Sequence, residues 1–474
     1  MVRERLADAP AAAIAREALA GMDDAWVVGG AVRDALLDRP VTDFDLAVRG
    51  DAADAARALA RAADAHPFEL SGERGMWRVQ SRDGTWHVDI ATLRGDTIEA
   101  DLGERDFTLN AIAAPLAGGE LVDPHGGIAD TEGRVLHAVG ERSFESDPLR
   151  IVRAARLGAS LELQLDPRTV ELARACAARA GEPAGERQLA ELREILIGPD
   201  PVRGLELLDE LGATAGVLPE LELMRGVGQN PYHQHDVHGH TLEVVRQTAA
   251  LLRDLDEVLG ERAPAVAAVL AEPLGDEMSR GDALMFAALL HDIGKPETRA
   301  VAPNGRVLFI GHDEAGVRII GGVCARLRAS RRLTAYLKSL TRNHLRLGFL
   351  VHERPLSRRQ VYEYLVATEP ESVDVTLLTV ADRLATRGPR SRTEAIESHL
   401  ELALEMIDEG LLWRSEGRPV PPIRGDELAA ELGIEPGPWL GRALAAIEEA
   451  QFAGEVGDRA GAIELARRTL PDLE

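Results

Sequence analysis

The chain has 474 residues, of which 28% are charged and only 4% aromatic, and its formal net charge is −25. That length points to two to four domains, and the Ala-, Leu-, Arg- and Glu-rich composition favours helix. No run of 18 or more apolar residues occurs, and the N-terminal stretch is interrupted by charges, so neither a membrane span nor a secretion signal is expected. Two cysteines, Cys176 and Cys324, suit a reduced cytoplasm better than a disulfide framework. The acidity argues against a generally basic nucleic-acid binder, although a local patch can outweigh the sum. Lys295 and Lys338 are the only lysines, so cationic work falls to arginine. The arginine clusters at 328–347 and 354–360 read as solvated helix faces.

In chain order, DAWVVGG (24–30) reads as an apolar strand ending in paired glycines, followed by the helical pattern AVRDALLD. VTDFDLAV (41–48) alternates as a strand, which sets Asp43 and Asp45 on one face. A helix, AADAARALARAAD, comes next, then strands at 76–80 (MWRVQ) and 86–93 (WHVDIATL). Strand signals fade beyond about residue 138. Amphipathic helices such as PLRIVRAARLGASL and ERQLAELREILIG follow, then a His-rich helical segment at about 230–390. A Pro-rich connector at 416–428 precedes a last helical piece.

Gly29 and Gly30 lie between a strand and a helix, where glycine lets backbone approach a phosphate and the helix offers free N–H groups. Asp43 and Asp45 on the next strand repel each other, and folding alone gives no reason to pair them. Divalent cations relieve that repulsion, orient a nucleoside triphosphate and activate a hydroxyl. Asp89, in HVDIATL, is a third carboxylate on a nearby strand.

VVGGAVRDALL, DFDLAV, RDFTLNAIA (105–113), VDPHGGIAD (122–130) and SDPLRIVRAARL (146–157) occur in the order and spacing that resemble class II tRNA nucleotidyltransferases and the related bacterial poly(A) polymerases. The resemblance implies an α+β architecture: a small polymerase-beta-like head with a mixed sheet, followed by a long all-helical body. It implies that Asp43 and Asp45 hold Mg²⁺, with Asp89 as the third catalytic carboxylate, and that Gly29, Gly30, Arg33 and Asp34 hold the triphosphate and sugar. Arg105, Asp106 and Asn110 match a motif that contacts the incoming nucleotide. Asp147 and Arg150, three apart on one face at a helix start, match a pair that reads the base edge in place of a template. Ser146 departs from the family, which usually carries Glu there. Glu186 and Arg187 open a segment that looks like the family's last motif, expected to support the fold or to touch RNA. Six residues separate Arg94 from Asp101, a compression that resembles CC-adding members and some full CCA-adding ones. Both products stay open. The implied partners are tRNA lacking its 3′ end, CTP and ATP.

His240, His291-Asp292, His312, His344 and Asp382 form an ordered series on expected helices. Imidazole and carboxylate suit a divalent metal. LLHDIGKP and the order His240, His291, Asp292, Asp382 resemble the HD superfamily of metal-dependent phosphohydrolases, with His312 and His344 as extra ligands. That resemblance implies a site for Ni, Mn, Fe, Co or Mg and a possible hydrolytic activity on phosphomonoesters, cyclic phosphodiesters or damaged RNA ends. The expected organisation is a head at 1–137, a base-selecting neck and RNA-binding body at 138–228, an HD domain at 229–395 and a helical tail at 396–474. Two other readings compete: poly(A) polymerase, and an HD phosphohydrolase with a nucleotide-sensing head. Oligomeric state is open.

Overall fold

The computed structural model describes residues 2–9, 11–22, 24–71, 75–435 and 437–469. The chain divides into two compact units, residues 1–217 and 218–474. The first begins with helices α1 (Val2–Asp8) and α2 (Ala12–Ala18). A six-stranded sheet follows, built from β1 (Ala25–Val28), β2 (Phe44–Val48), β3 (His66–Ser71), β4 (Met76–Gln80), β5 (His87–Thr92) and β6 (Ala113–Pro115). Its order is β3-β4-β5-β2-β1-β6. Only the β2–β5 pair is parallel, as the intervening helix α4 (Ala52–Ala63) requires. Helix α3 (Gly30–Leu36) leaves β1 directly.

Alternation assigns the two faces of this sheet. Val27, Leu46, Val48, Val88 and Ile90 pack with Ala56 and Leu59 of α4. Trp26, Val28 and Ala47 lie in a second cluster with Ile98 and Leu102 of helix α5 (Ile98–Gly103). Asp45 and Asp89 fall on the face of Ala47, and the parallel register sets them directly opposite each other. Asp43, expected within the strand, lies one residue before it, with 70% of its side chain exposed. β3 carries no clean alternation, which is why the sequence pattern did not mark it.

After α6 (Gly127–Gly133) and the short α7 (Ser143–Ser146), the chain becomes helical. Helix α8 (Leu149–Ser160) packs on α10 (Gly185–Leu196) and α11 (Pro201–Glu210), and α9 (Pro167–Cys176) is capped by Asp166. Arg150 is in the first turn of α8. Asp147 is in extended backbone before it, not on the helix as expected.

The second unit centres on α13 (Arg280–Leu290), buried all round among α12 (Val237–Arg253), α15 (Arg331–Asn343) and α16 (Ser372–Ala385). Helix α14 (His312–Arg326) packs on α15. The buried Arg280 is paired with Asp374, which also accepts a 2.8 Å hydrogen bond from Tyr336. A long helix, α17 (Thr393–Glu416), runs along α16. The tail helices Gly425–Leu432, Pro438–Phe452 and Arg459–Thr469 share a small core of Leu428, Ile447 and Leu465. The 354–360 arginines are not simply solvated: Arg354 pairs with Glu401 and Glu405, and Arg359 with Glu449 and Glu455. They join helices distant in sequence.

Candidate functional site

In the first unit, the β1–α3 turn depends on Gly29, whose φ is +69°. A Cβ there would stand 3.1 Å from Arg105 Nη1 and 3.5 Å from Asp45 Oδ2, so the glycine backbone, the acid and the guanidinium converge on one point. Arg105 donates through Nε and Nη2 to Asp101 Oδ2 at 3.1 and 2.9 Å, which leaves Nη1 over the turn. Burial pushes the Asp45 carboxyl up to about 6, with the Asp89 charge adding to it and Arg105 opposing. Asp89 accepts a fork from Arg78 at 2.7 and 2.8 Å across the β4–β5 pair. Three carboxylates with oxygen donors only, one of them buried and reluctant to ionise, suit a hard divalent cation such as Mg²⁺.

A chain of charged hydrogen bonds leads away from this cluster. Arg33 donates to both oxygens of Asp34 at 2.9 and 3.0 Å, and to Asn110 Oδ1 at 2.8 Å. Asn110 donates to Asp106 Oδ1 at 3.0 Å, and Arg153 donates to Asp106 Oδ2 at 3.0 Å. Arg153 also donates to Glu191 at 2.9 Å, which Arg156 meets at the same distance. Burial raises the Asp106 carboxyl, but the Arg153 charge and the Asn110 hydrogen bond outweigh it and hold it below the ordinary value. The sequence showed Arg33, Asp34, Asp106 and Asn110; Arg153 and Glu191 were missed because their partners lie in α8 and α10.

Asp147 and Arg150 do not pair with each other. Arg187, expected to support the fold or to touch RNA, donates to Asp147 Oδ2 at 2.7 Å. Arg150 donates to the carbonyls of Glu104 and Arg105 at 2.7 and 3.1 Å and to Ser143 Oγ at 2.9 Å. The compressed segment before Arg105 is therefore an ordered element. Thr97 caps α5, and the buried Asp101 accepts both Arg105 and the Arg94 amide.

In the second unit four histidines and Asp382 gather around Asp292. His291 Nε2 lies 3.2 Å and His240 Nε2 3.8 Å from Asp292 Oδ2, while His312 and His344 Nε2 lie 3.5 and 3.8 Å from Oδ1. Asp382 Oδ1 is 2.9 Å from His240 Nε2. Potential ligand atoms fall into two sets, His240, His291, Asp382 and Asp292, His312, His344. His291, His312 and His344 each place Nδ1 2.6 to 2.9 Å from a backbone carbonyl, of Ala288, Phe309 and Thr341. That fixes the tautomer with the bare Nε2 pointing inward, the arrangement of metal-ligating histidine. Two such nitrogens, of His312 and His344, stand only 3.3 Å apart, and His291 Nε2 has no hydrogen-bond partner. Those features fit divalent cations. Burial holds His344 down at about 4, with the His291 charge acting the same way.

His291 and Asp292, expected on a helix, lie past its end at Leu290, in a turn. Gly294 completes it: a Cβ there would be 2.1 Å from the His312 carbonyl oxygen, so only glycine lets α14 come this close. Lys295 Nζ, 2.6 Å from Asp292 Oδ2, was not singled out from sequence, nor was His233, whose ring stacks edge-on to His240 at 4.8 Å.

Residues 25–137 match the Poly A polymerase head domain, residues 162–224 the probable RNA and SrmB-binding site of polymerase A, and residues 237–387 the HD domain. The chain is 36% identical to the A-adding tRNA nucleotidyltransferase of Deinococcus radiodurans over 91% of its own length and 92% of that protein's. It is 33% identical to the CC-adding tRNA nucleotidyltransferase of Thermus thermophilus, over 92% and 91% of the two chains. The fold resembles that of the Bacillus stearothermophilus CCA-adding enzyme in complex with CTP, with a TM-score of 0.63, 22% identity and 97% of each chain covered. Among the described residues no helix is long and apolar enough to cross a membrane. With its head and HD domains and these relatives, which set it apart from poly(A) polymerases, the chain belongs to the tRNA nucleotidyltransferase family of CCA-adding enzymes.

Proposed function

We propose that the head adds cytidylate to the 3′ end of a tRNA that lacks it, and stops after CC. The observation that carries this reading is the tether of Arg150 to the Glu104 and Arg105 carbonyls and to Ser143. Cytosine offers one amino donor to a carboxylate such as Asp147 and two adjacent acceptors, N3 and O2, to a guanidinium; adenine offers its amino group and N1 alone. Withdrawing Arg150 to admit the larger purine breaks two or more charge-assisted hydrogen bonds, about 1.5–3 kcal/mol each. The short, capped segment from Arg94 to Arg105 leaves little freedom for that movement. Relatives bearing A-adding, CC-adding and multifunctional CCA names all align with the chain, so likeness does not select among the products.

In this reading Asp43, Asp45 and Asp89 hold Mg²⁺, which supplies activation of the RNA 3′-hydroxyl and charge neutralisation on the triphosphate when bound. The Gly29-Gly30 turn and Arg105 take phosphate oxygens; Arg33, Asp34, Asp106 and Asn110 form the wall toward the sugar. Arg187 orients Asp147. The test is single-nucleotide incorporation on a tRNA lacking CCA and on one ending in CC. With the tether intact, kcat/KM for CTP on the first exceeds that for ATP on the second by at least about 100-fold, the factor that loss of two such hydrogen bonds gives. Comparable values would overturn it. The two free cysteines fit a cytoplasmic setting.

A second reading concerns the HD site. Its four histidines and two aspartates, with Nε2 atoms aimed at Asp292, support one or two divalent cations and hydrolysis of a phosphate ester. Phosphate release by protein loaded with Ni, Mn, Fe, Co or Mg tests it, with the His291→Ala variant as control. Equal turnover by the variant would refute it.

A further inference from the structure

The rim of the HD site carries a group of charges that its hydrolytic reading does not use. Directly after Asp382 the chain reads RLATRGPRSR, with Arg383, Arg387, Arg390 and Arg392 within ten residues. In a chain of net charge −25, most arginines sit on carboxylates, and these four have no ion pair among the described residues. Arg383 is half-buried beside Asp382, and the other three are exposed. Unpaired arginines this close in sequence repel one another, and an acidic protein has carboxylates to spare for them.

This segment is fastened to the loop that leads into α12. Gly388 N donates to the Tyr232 carbonyl at 2.7 Å, Arg390 N to the Pro231 carbonyl at 3.3 Å, and Ser391 Oγ to the Tyr232 carbonyl at 3.1 Å. Tyr232 is 50% exposed, and the next residue, His233, stacks on the metal-site residue His240. One end of the strip is thus an exposed aromatic ring one residue from the site, and the other end begins at Asp382. An aromatic platform beside a line of unpaired arginines is the surface that holds single-stranded nucleic acid: the ring stacks a base and the guanidinium groups take successive phosphates. A single small phosphate ester has too few charges to use it.

We propose that the HD site acts on the end of a single-stranded oligonucleotide, whose terminal base stacks on Tyr232 and whose backbone lies along Arg387, Arg390 and Arg392. This rests on the phosphohydrolase reading for the chemistry, but the docking surface stands without it.

Two measurements on the full chain separate the two. The first needs no turnover: an oligoribonucleotide bearing a 3′-terminal phosphate and a photoreactive 4-thiouridine next to it is crosslinked and mapped by mass spectrometry. Crosslinks are expected at Tyr232 or within 383–392; crosslinks confined to residues 1–217 would overturn the proposal. The second compares phosphate release from that oligonucleotide and from a 3′-mononucleotide by metal-loaded protein. The oligonucleotide is expected to win, and its KM to rise roughly 20-fold between 50 and 200 mM salt, as three single-strand phosphate contacts dictate. The triple variant R387Q/R390Q/R392Q is expected to flatten that salt dependence and the triple Lys variant to retain it. Tyr232→Leu is expected to weaken the oligonucleotide by about tenfold. Phosphate release with no oligonucleotide preference and no effect of the triple Gln variant would refute the docking while sparing the hydrolase. Crosslinks at the rim without phosphate release would refute the hydrolase while sparing the docking.

Discussion

Arg153 ties the nucleotide wall of the head to the helices behind it. Its guanidinium meets Asp106 and Glu191, whose side chains are only 8% and 9% exposed, while its own is 31% exposed. Arg153→Met removes the cation hydrogen-bonded to Asp106 and leaves Glu191 with Arg156. Breaking a buried pair from one side costs about 3–5 kcal/mol, and the partial exposure of Arg153 reduces this to about 2–4. At about 2–4 °C per kcal/mol for a unit this size, the melting transition should fall by roughly 5–15 °C. Calorimetry on the full chain reads it, with the first unit's transition identified as the one that CTP and Mg²⁺ raise. The pH dependence has a definite sign. Asp106 titrates below its ordinary 3.8 in the folded chain, so its contribution is present above that pH and lost as pH falls through the lower folded value. The difference between wild type and Arg153→Met should therefore be full at pH 7 and shrink below about pH 4. Adding Asp106→Asn and Glu191→Gln to Arg153→Met should recover most of the loss, because it removes the stranded charges. A destabilisation under about 1 kcal/mol at pH 7, or no recovery in the triple variant, would refute this role of the network.

Asp45→Asn should abolish nucleotide incorporation yet raise the melting temperature of EDTA-treated protein at pH 8. The wild-type carboxyl, raised from 3.8 to about 6, contributes stability that is lost as pH rises through that range, at most roughly 3 kcal/mol, and Asn does not ionise. Destabilisation by Asn at pH 8 would contradict the burial and repulsion assigned to Asp45. Arg187→Ala releases Asp147 and should lower kcat/KM for CTP by about tenfold, one charged hydrogen bond, with Arg187→Lys recovering part of it; an unchanged CTP-to-ATP ratio with unchanged kcat/KM would remove Arg187 from base selection. His291→Ala should lose the bound divalent metal measured by elemental analysis, while leaving CTP incorporation within about twofold; metal content equal to wild type would count against the site.

The head acids were legible because a period-two strand after a Gly-Gly turn is a strong local signal, and Asp45 lies where that pattern set it. Asp43 was assigned to the strand because alternation does not say where pairing begins. Arg78 was not legible: its role depends on the β4–β5 register, which matches it with Asp89 across a turn. Arg153 and Asp106 are 47 residues apart and meet only when α8 packs on the head. In the second unit the order of His and Asp residues was readable, but an unbroken apolar run from Ala283 to Leu290 could not show that the helix stops before His291. The requirement for Gly294, set by the approach of α14, is likewise a property of packing. The arginines after Asp382 resemble any other charge run in sequence; their seating against Pro231 and Tyr232, next to the His233–His240 contact, is a property of the fold.

The most direct test is the 3′ end made when a tRNA lacking CCA is incubated with Mg²⁺, CTP and ATP together and the products are sequenced. The tether of Arg150 calls for products ending in CC with no adenosine. Products ending in CCA, or adenosine added to a tRNA already ending in CC, would contradict it.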